Sequence, residues 1–138
     1  MTDLDILLGS WVITGRTLKS DVDDVSGDLV ATPLLGGRML QLVGSMSIGG
    51  GARMESVELI WADDDKPGYA AHVYSGSGAP LDYRWSRDGD TLVHAGFGMT
   101  YTGTISADGA TIEGWWRPDP DRPDMAEAEY RATMRRSA

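Results

Sequence analysis

Met99-Thr100-Tyr101-Thr102-Gly103-Thr104-Ile105 reads as a strand with two unlike faces. Met99, Tyr101, Gly103 and Ile105 fall on one side and three threonines on the other, the period of two that a half-buried β-strand shows. Asp108-Gly109 follows at once, and Asp-Gly is a tight hairpin signal, so the chain should return antiparallel from about residue 111.

The same grammar runs outward in both directions. Short alternating segments separated by turn residues predict ten strands, at about 10–18, 26–32, 38–48, 53–62, 69–75, 80–86, 91–96, 99–105, 111–117 and 125–136. Leu81, Tyr83 and Trp85 oppose Asp82, Arg84 and Ser86; Leu40, Leu42, Met46 and Ile48 oppose Gln41, Ser45 and Ser47. Val57, Leu59 and Trp61 read as the buried face of the fourth strand against Ser56 and Glu58, and Ala126, Ala128, Tyr130, Ala132 and Met134 as that of the last. No helical period is long enough for a crossover, so neighbours should pair antiparallel. A ten-stranded sheet with one apolar face must fold over or close. Closure removes the edges, and short turns favour an up-and-down barrel spanning residues 1–138 as one domain.

The turns give the barrel a direction. Connections near 32–37, 62–68, 87–90 and 107–110 form one end, two of them through Asp-Gly. Those near 19–25, 49–52, 76–80 and 118–124 form the other and are mostly longer and rich in glycine or in proline and aspartate; Phe97-Gly98 is the short exception. The first end reads as closed and the second as a loop-rimmed mouth. Residues 2–8 form a lead-in of one helical turn at most, and Gly9-Ser10-Trp11 starts the first strand at the closed end. The last strand should finish beside it, with Arg136 on the inward parity. A cation over the Trp11 ring follows, so Gly9, Trp11 and Arg136 form the expected base.

Composition narrows the function. The formal charge of −9 from 12 basic and 21 acidic residues argues against a nucleic-acid surface, which needs clustered Lys and Arg. There is no cysteine, hence no disulfide or thiolate metal site, and two histidines are thin support for zinc. The acidic runs at 21–24, 63–65 and 119–124 lack calcium-loop spacing and read as turn chemistry. Gly49-Gly50-Gly51 has no helix or Lys-Ser/Thr after it to cradle a phosphate. No metal and no cofactor are expected. Neither an apolar leader nor a span of membrane length stands out, so a cytoplasmic protein without membrane contact is the expectation.

Gly9-x-Trp11 after an apolar turn, with a basic residue late in the last strand, resembles the calycin signature of lipocalins. The wider order is similar to the bacterial lipocalin-like family of unknown function DUF1579. It runs from Leu8-Gly9-Ser10-Trp11 through Leu35-Gly36-Gly37-Arg38-Met39-Leu40 and Asp88-Gly89-Asp90-Thr91-Leu92 to the 103–112 segment and Tyr130-Arg131. The resemblance covers nearly the whole chain and implies a barrel with a pocket for small apolar molecules. It brings no catalytic residues with it.

Within such a barrel Trp61, Tyr83, Trp85, Tyr101, Trp116 and Tyr130 would line the interior, with no charge predicted inward. Rings with a few polar handles suit an aromatic ligand, although the same rings could fill a core. His72 and His94 are the side chains that titrate near neutrality; the parity of their strands is ambiguous, and His94 shares a face with Leu92. The leading expectation is binding of a small hydrophobic molecule through Tyr74, Tyr83, Trp85, His94, Met99, Tyr101 and Trp116. The alternative is a cofactor-free isomerase or cyclase using His94 with Tyr74 or Tyr101 as acid and base. Val12, Leu18, Val43 and Trp115 on the outer face would suit a homodimer.

Overall fold

The fold is taken from a computed structural model, which describes residues 3–76 and 78–137. Thr2 of the lead-in and Ser77 of the loop near 76–80 lie outside the described residues. Ten strands follow a 3₁₀ turn at Asp5–Leu7: β1 (Gly9–Thr17), β2 (Val25–Leu34), β3 (Met39–Ile48), β4 (Met54–Ala62), β5 (Tyr69–Tyr74), β6 (Leu81–Asp88), β7 (Thr91–Gly96), β8 (Met99–Ile105), β9 (Thr111–Pro118) and β10 (Tyr130–Arg136). Every neighbour pair is antiparallel, and β10 returns onto β1 to close the barrel.

At the closed end Leu4, Leu7, Trp11, Leu40, Ile60, Leu92 and Ile112 are fully buried around one another. Trp11 is opposite Arg136 in the β1–β10 ladder. The guanidinium lies 4.2 Å from the indole centroid. It donates to the carbonyls of Ile6 (2.6 Å), Leu8 (2.6 Å) and Gly109 (3.0 Å), while the indole N–H donates to Leu7 O at 2.8 Å. Arg136 therefore ties the lead-in turn and the β8–β9 turn across the base. Gly9 has φ +114°, and a Cβ there would stand 3.0 Å from an Arg136 nitrogen, so backbone and space both call for glycine.

Three features of the barrel differ from what the sequence predicts. The β3–β4 hairpin pairs Met46 with Met54 and is symmetric about Gly50, so even residues face even residues. Glu58 and Ile60 therefore join Leu40 and Leu42 inside, and Trp61 lies outside, with its ring 4.9 Å from that of His72. In β5, Ala71 and Val73 point inward, whereas His72 meets Asp82 at 3.1 Å on the outer face and Tyr74 is exposed. Residues 125–128, expected as the start of the last strand, belong instead to a 3₁₀ turn over Pro123–Ala128. Pro123 opens it, and Ala126 and Ala128 are exposed. Their alternation with glutamates carried no burial.

Loops at the open end are tied to one another. Asp24 accepts from the Thr17 backbone N–H (2.8 Å) and hydroxyl, which holds its carboxyl below the usual carboxylate range. Its own carbonyl accepts from Gly50 N–H, joining two rim connections. The Phe97-Gly98 turn has both central residues at positive φ (54° and 79°). Such a turn suits the twist of a hairpin and favours Asn-Gly. Phenylalanine in this region is strained by about 1–2 kcal/mol, and its ring is exposed. Phe97→Asn should therefore raise stability by about 1 kcal/mol in urea denaturation; an unchanged midpoint would mean that the ring makes compensating contacts.

Candidate functional site

Above the plug the barrel opens into a cavity of about 320 Å³. Leu42, Met46, Ile48, Leu81 and Met134 give it an aliphatic side; Tyr83, Trp85, His94, Tyr101 and Trp116 give it an aromatic one. The aromatic side follows from strand order. β6, β7, β8 and β9 are sequential neighbours, and Trp85, His94, Tyr101 and Trp116 occupy paired positions across all four. The imidazole of His94 stacks on Trp85 at 3.7 Å between centroids, with Tyr83 at 5.0 Å and the Trp116 ring at 5.1 Å. Room for these rings comes from small residues in the row beneath: Gly15, Ala132, Gly114 and Gly103 are successive partners across β1, β10, β9 and β8. A Cβ on Gly103 would stand 2.6 Å from the Tyr101 ring.

Glu58 is the residue that the sequence reading missed. It is 7% exposed, points into this apolar chamber, and accepts through a single oxygen from the Trp85 indole N–H (2.8 Å) and at His94 Nε2 (2.9 Å). Indole nitrogen only donates, so that oxygen accepts from Trp85, and with Glu58 as a carboxylate His94 is the donor through Nε2. The second carboxyl oxygen has no hydrogen bond among the described residues. No buried side-chain oxygen among the described residues is left unpartnered, so this oxygen keeps its contact with the cavity. A buried carboxylate with no Lys or Arg on it is costly unless something else satisfies it.

Of the residues expected at the site, Tyr83, Trp85, His94, Tyr101 and Trp116 meet around the cavity. Tyr74 is on the outer face, and Met99 is half-buried near the rim of β8 without lining the chamber. Tyr101 donates its hydroxyl to Ala132 O at 3.1 Å, which engages it structurally. The Tyr83 hydroxyl has no partner among the described residues. No three His, Asp or Glu side chains among those residues converge as a metal would need, and no described helix is long and apolar enough to cross a membrane.

Burial pushes the phenols of Tyr101 and Tyr130 far up, and that of Tyr83 up as well, with the Glu58 charge adding to the last. A phenol held protonated in the fold stabilises it fully below the unfolded phenol value near 10. That contribution fades as pH rises further, because the unfolded chain then releases protons that the barrel retains. Titration at 295 nm should show the phenolates of these three residues appearing together with loss of near-ultraviolet circular dichroism. Their ionisation in a still-folded barrel would mean that water reaches the chamber freely.

The chain resembles other closed barrels. EF1p2_mFAP2b bound to DFHBI superimposes with a TM-score of 0.52 at 13% identity, over 98% of this chain and 97% of that one. A de novo designed fluorescence-activating β-barrel gives 0.53 at 14%, over 99% and 100%. A redesigned β-barrel gives 0.52 at 11%, over 96% and 93%. The likeness is one of fold. No family model and no curated protein matches the sequence, so kinship with DUF1579 has no support beyond the motifs themselves.

Proposed function

We propose that the barrel binds a small, largely apolar molecule with an aromatic ring in the chamber between the base plug and the rim. The observation that supports this most is the unfilled volume of about 320 Å³ between stacked rings and aliphatic side chains. A well-packed core leaves few voids larger than a water, whereas ligand pockets start near this size. Glu58 and the Tyr83 hydroxyl are polar handles in an otherwise greasy wall, the usual pattern of a site that orients its ligand. The lipocalin-like motifs favour the same reading, and the barrel bound to DFHBI is a further instance of this fold with a ligand.

Native mass spectrometry of protein purified from its own host is the direct test. An extra mass that disappears on denaturation is expected and would give the ligand's formula. Apoprotein that also takes up no apolar dye would overturn the proposal.

The Glu58–His94 pair favours one other reading, a cofactor-free isomerase or cyclase in which the carboxylate orients the imidazole as acid and base. His94→Gln separates the two. A binder keeps most of its ligand affinity and has no turnover to lose; an enzyme keeps affinity and loses turnover by about 10²–10⁴.

A further inference from the structure

Glu58 is the one acidic residue of the lining on the inward parity; Asp28 and Glu55, both paired with Ser45, border the chamber from the outward parity, and no described lining residue is Lys or Arg. Asp28 at the rim is engaged by Arg53 (3.3 Å) and Ser45, and Glu55 is exposed, so Glu58 is the carboxylate held deep. Its two protein donors, Trp85 and His94, share one oxygen, and the other is open to the cavity. Trp85, Tyr83 and Trp116 gather around His94, which shares the bonded oxygen of Glu58, and the faces of such rings attract cations. We propose that the chamber selects a cationic aromatic amine, its protonated nitrogen on the free oxygen of Glu58 and its ring among these aromatic walls. The inference rests on the reading of the cavity as a ligand site and names the class of ligand. A protonated amine would bring a charge-assisted donor to the oxygen that Trp85 and His94 leave open, whereas an anion would be repelled by the carboxylate. The net charge of −9 favours the approach of a cation over that of an anion.

Three tricyclic probes of like shape test this by isothermal titration: 9-aminoacridine, a cation at neutral pH; 9-(hydroxymethyl)anthracene, neutral with one donor; and anthracene-9-carboxylate. The expected order in the unaltered protein is cation, neutral, anion, with at least tenfold between the first and last. Glu58→Gln should remove that preference, bringing the cation and the anion to within about threefold of each other. Asp64→Asn, an equal loss of charge at the closed end, should keep the preference, which separates a specific seat from attraction to an acidic surface. Should Glu58→Gln fail to fold, the order measured on the unaltered protein decides. Equal binding of all three, an anion preference, or a cation preference that survives Glu58→Gln overturns the cationic ligand and leaves the cavity reading intact. Uptake of none overturns both.

Discussion

Trp11→Ala should cost the barrel about 3–5 kcal/mol, lowering the melting temperature by roughly 10–20 °C. Trp11 is 1% exposed at the centre of the plug, and Leu4, Leu7, Leu40, Ile60, Leu92 and Ile112 in the same core are at most 1% exposed. Truncation to alanine removes its transfer free energy and leaves a void that a closed barrel cannot collapse into, because each strand is fixed by ladders on both sides. The indole N–H also holds the Leu7 carbonyl at 2.8 Å and so anchors the lead-in turn. A loss below about 1 kcal/mol in urea denaturation would show that the base is not a folding element.

Arg136 separates packing from tethering. It is exposed while it bridges three backbone carbonyls, so each of those bonds competes with water. Arg136→Met should cost about 1–3 kcal/mol, less than the tryptophan. The double variant should show a coupling of about 0.5–1 kcal/mol, the range for a cation over an indole at an exposed site.

What the sequence discloses is limited by where its hydrophobic pattern reports burial. In β6 and β8 the inner face is aromatic and the outer face charged or hydroxylated, so parity reads correctly from the residues alone. In β4 the pattern is inverted. Val57, Leu59 and Trp61 form the outer face beside Val43, Tyr74 and His72, while Ser56 and Glu58 line the chamber. A strand that places its polar residues inside a ligand cavity looks from sequence like an ordinary strand turned over. The missing signal was register, which a loop symmetric about Gly50 sets, and turn geometry is the part of a hairpin that sequence fixes least. That one inversion hid Glu58 and put Trp61 inside; β5 had no readable parity because Tyr69, Ala71 and Val73 on one face and Ala70, His72 and Tyr74 on the other are alike in character. The base was legible because Gly9, Trp11 and Arg136 each answer a separate requirement: a positive φ, a buried ring and a cation beside it.

Glu58→Ala should destabilise the protein by about 2–5 kcal/mol, whereas Glu58→Gln should cost under about 1 kcal/mol. Alanine leaves the Trp85 indole N–H and His94 Nε2–H facing an apolar chamber without an acceptor, and each unmade bond costs roughly 1–3 kcal/mol. Glutamine keeps an oxygen in place. A third variant carries the sharper expectation. Glu58→Met combined with Trp85→Phe and His94→Phe removes acceptor and donors together and should be at least as stable as the unaltered protein, because a buried polar cluster replaced by packed apolar groups is often neutral or stabilising. Urea denaturation of the three variants decides. If the apolar triple variant is as stable as expected yet takes up no cationic probe, the cluster serves recognition at some expense of stability, as functional sites commonly do. If instead the triple variant is as unstable as Glu58→Ala, the Glu58–Trp85–His94 cluster is structural, holding β4, β6 and β7 in place across the chamber.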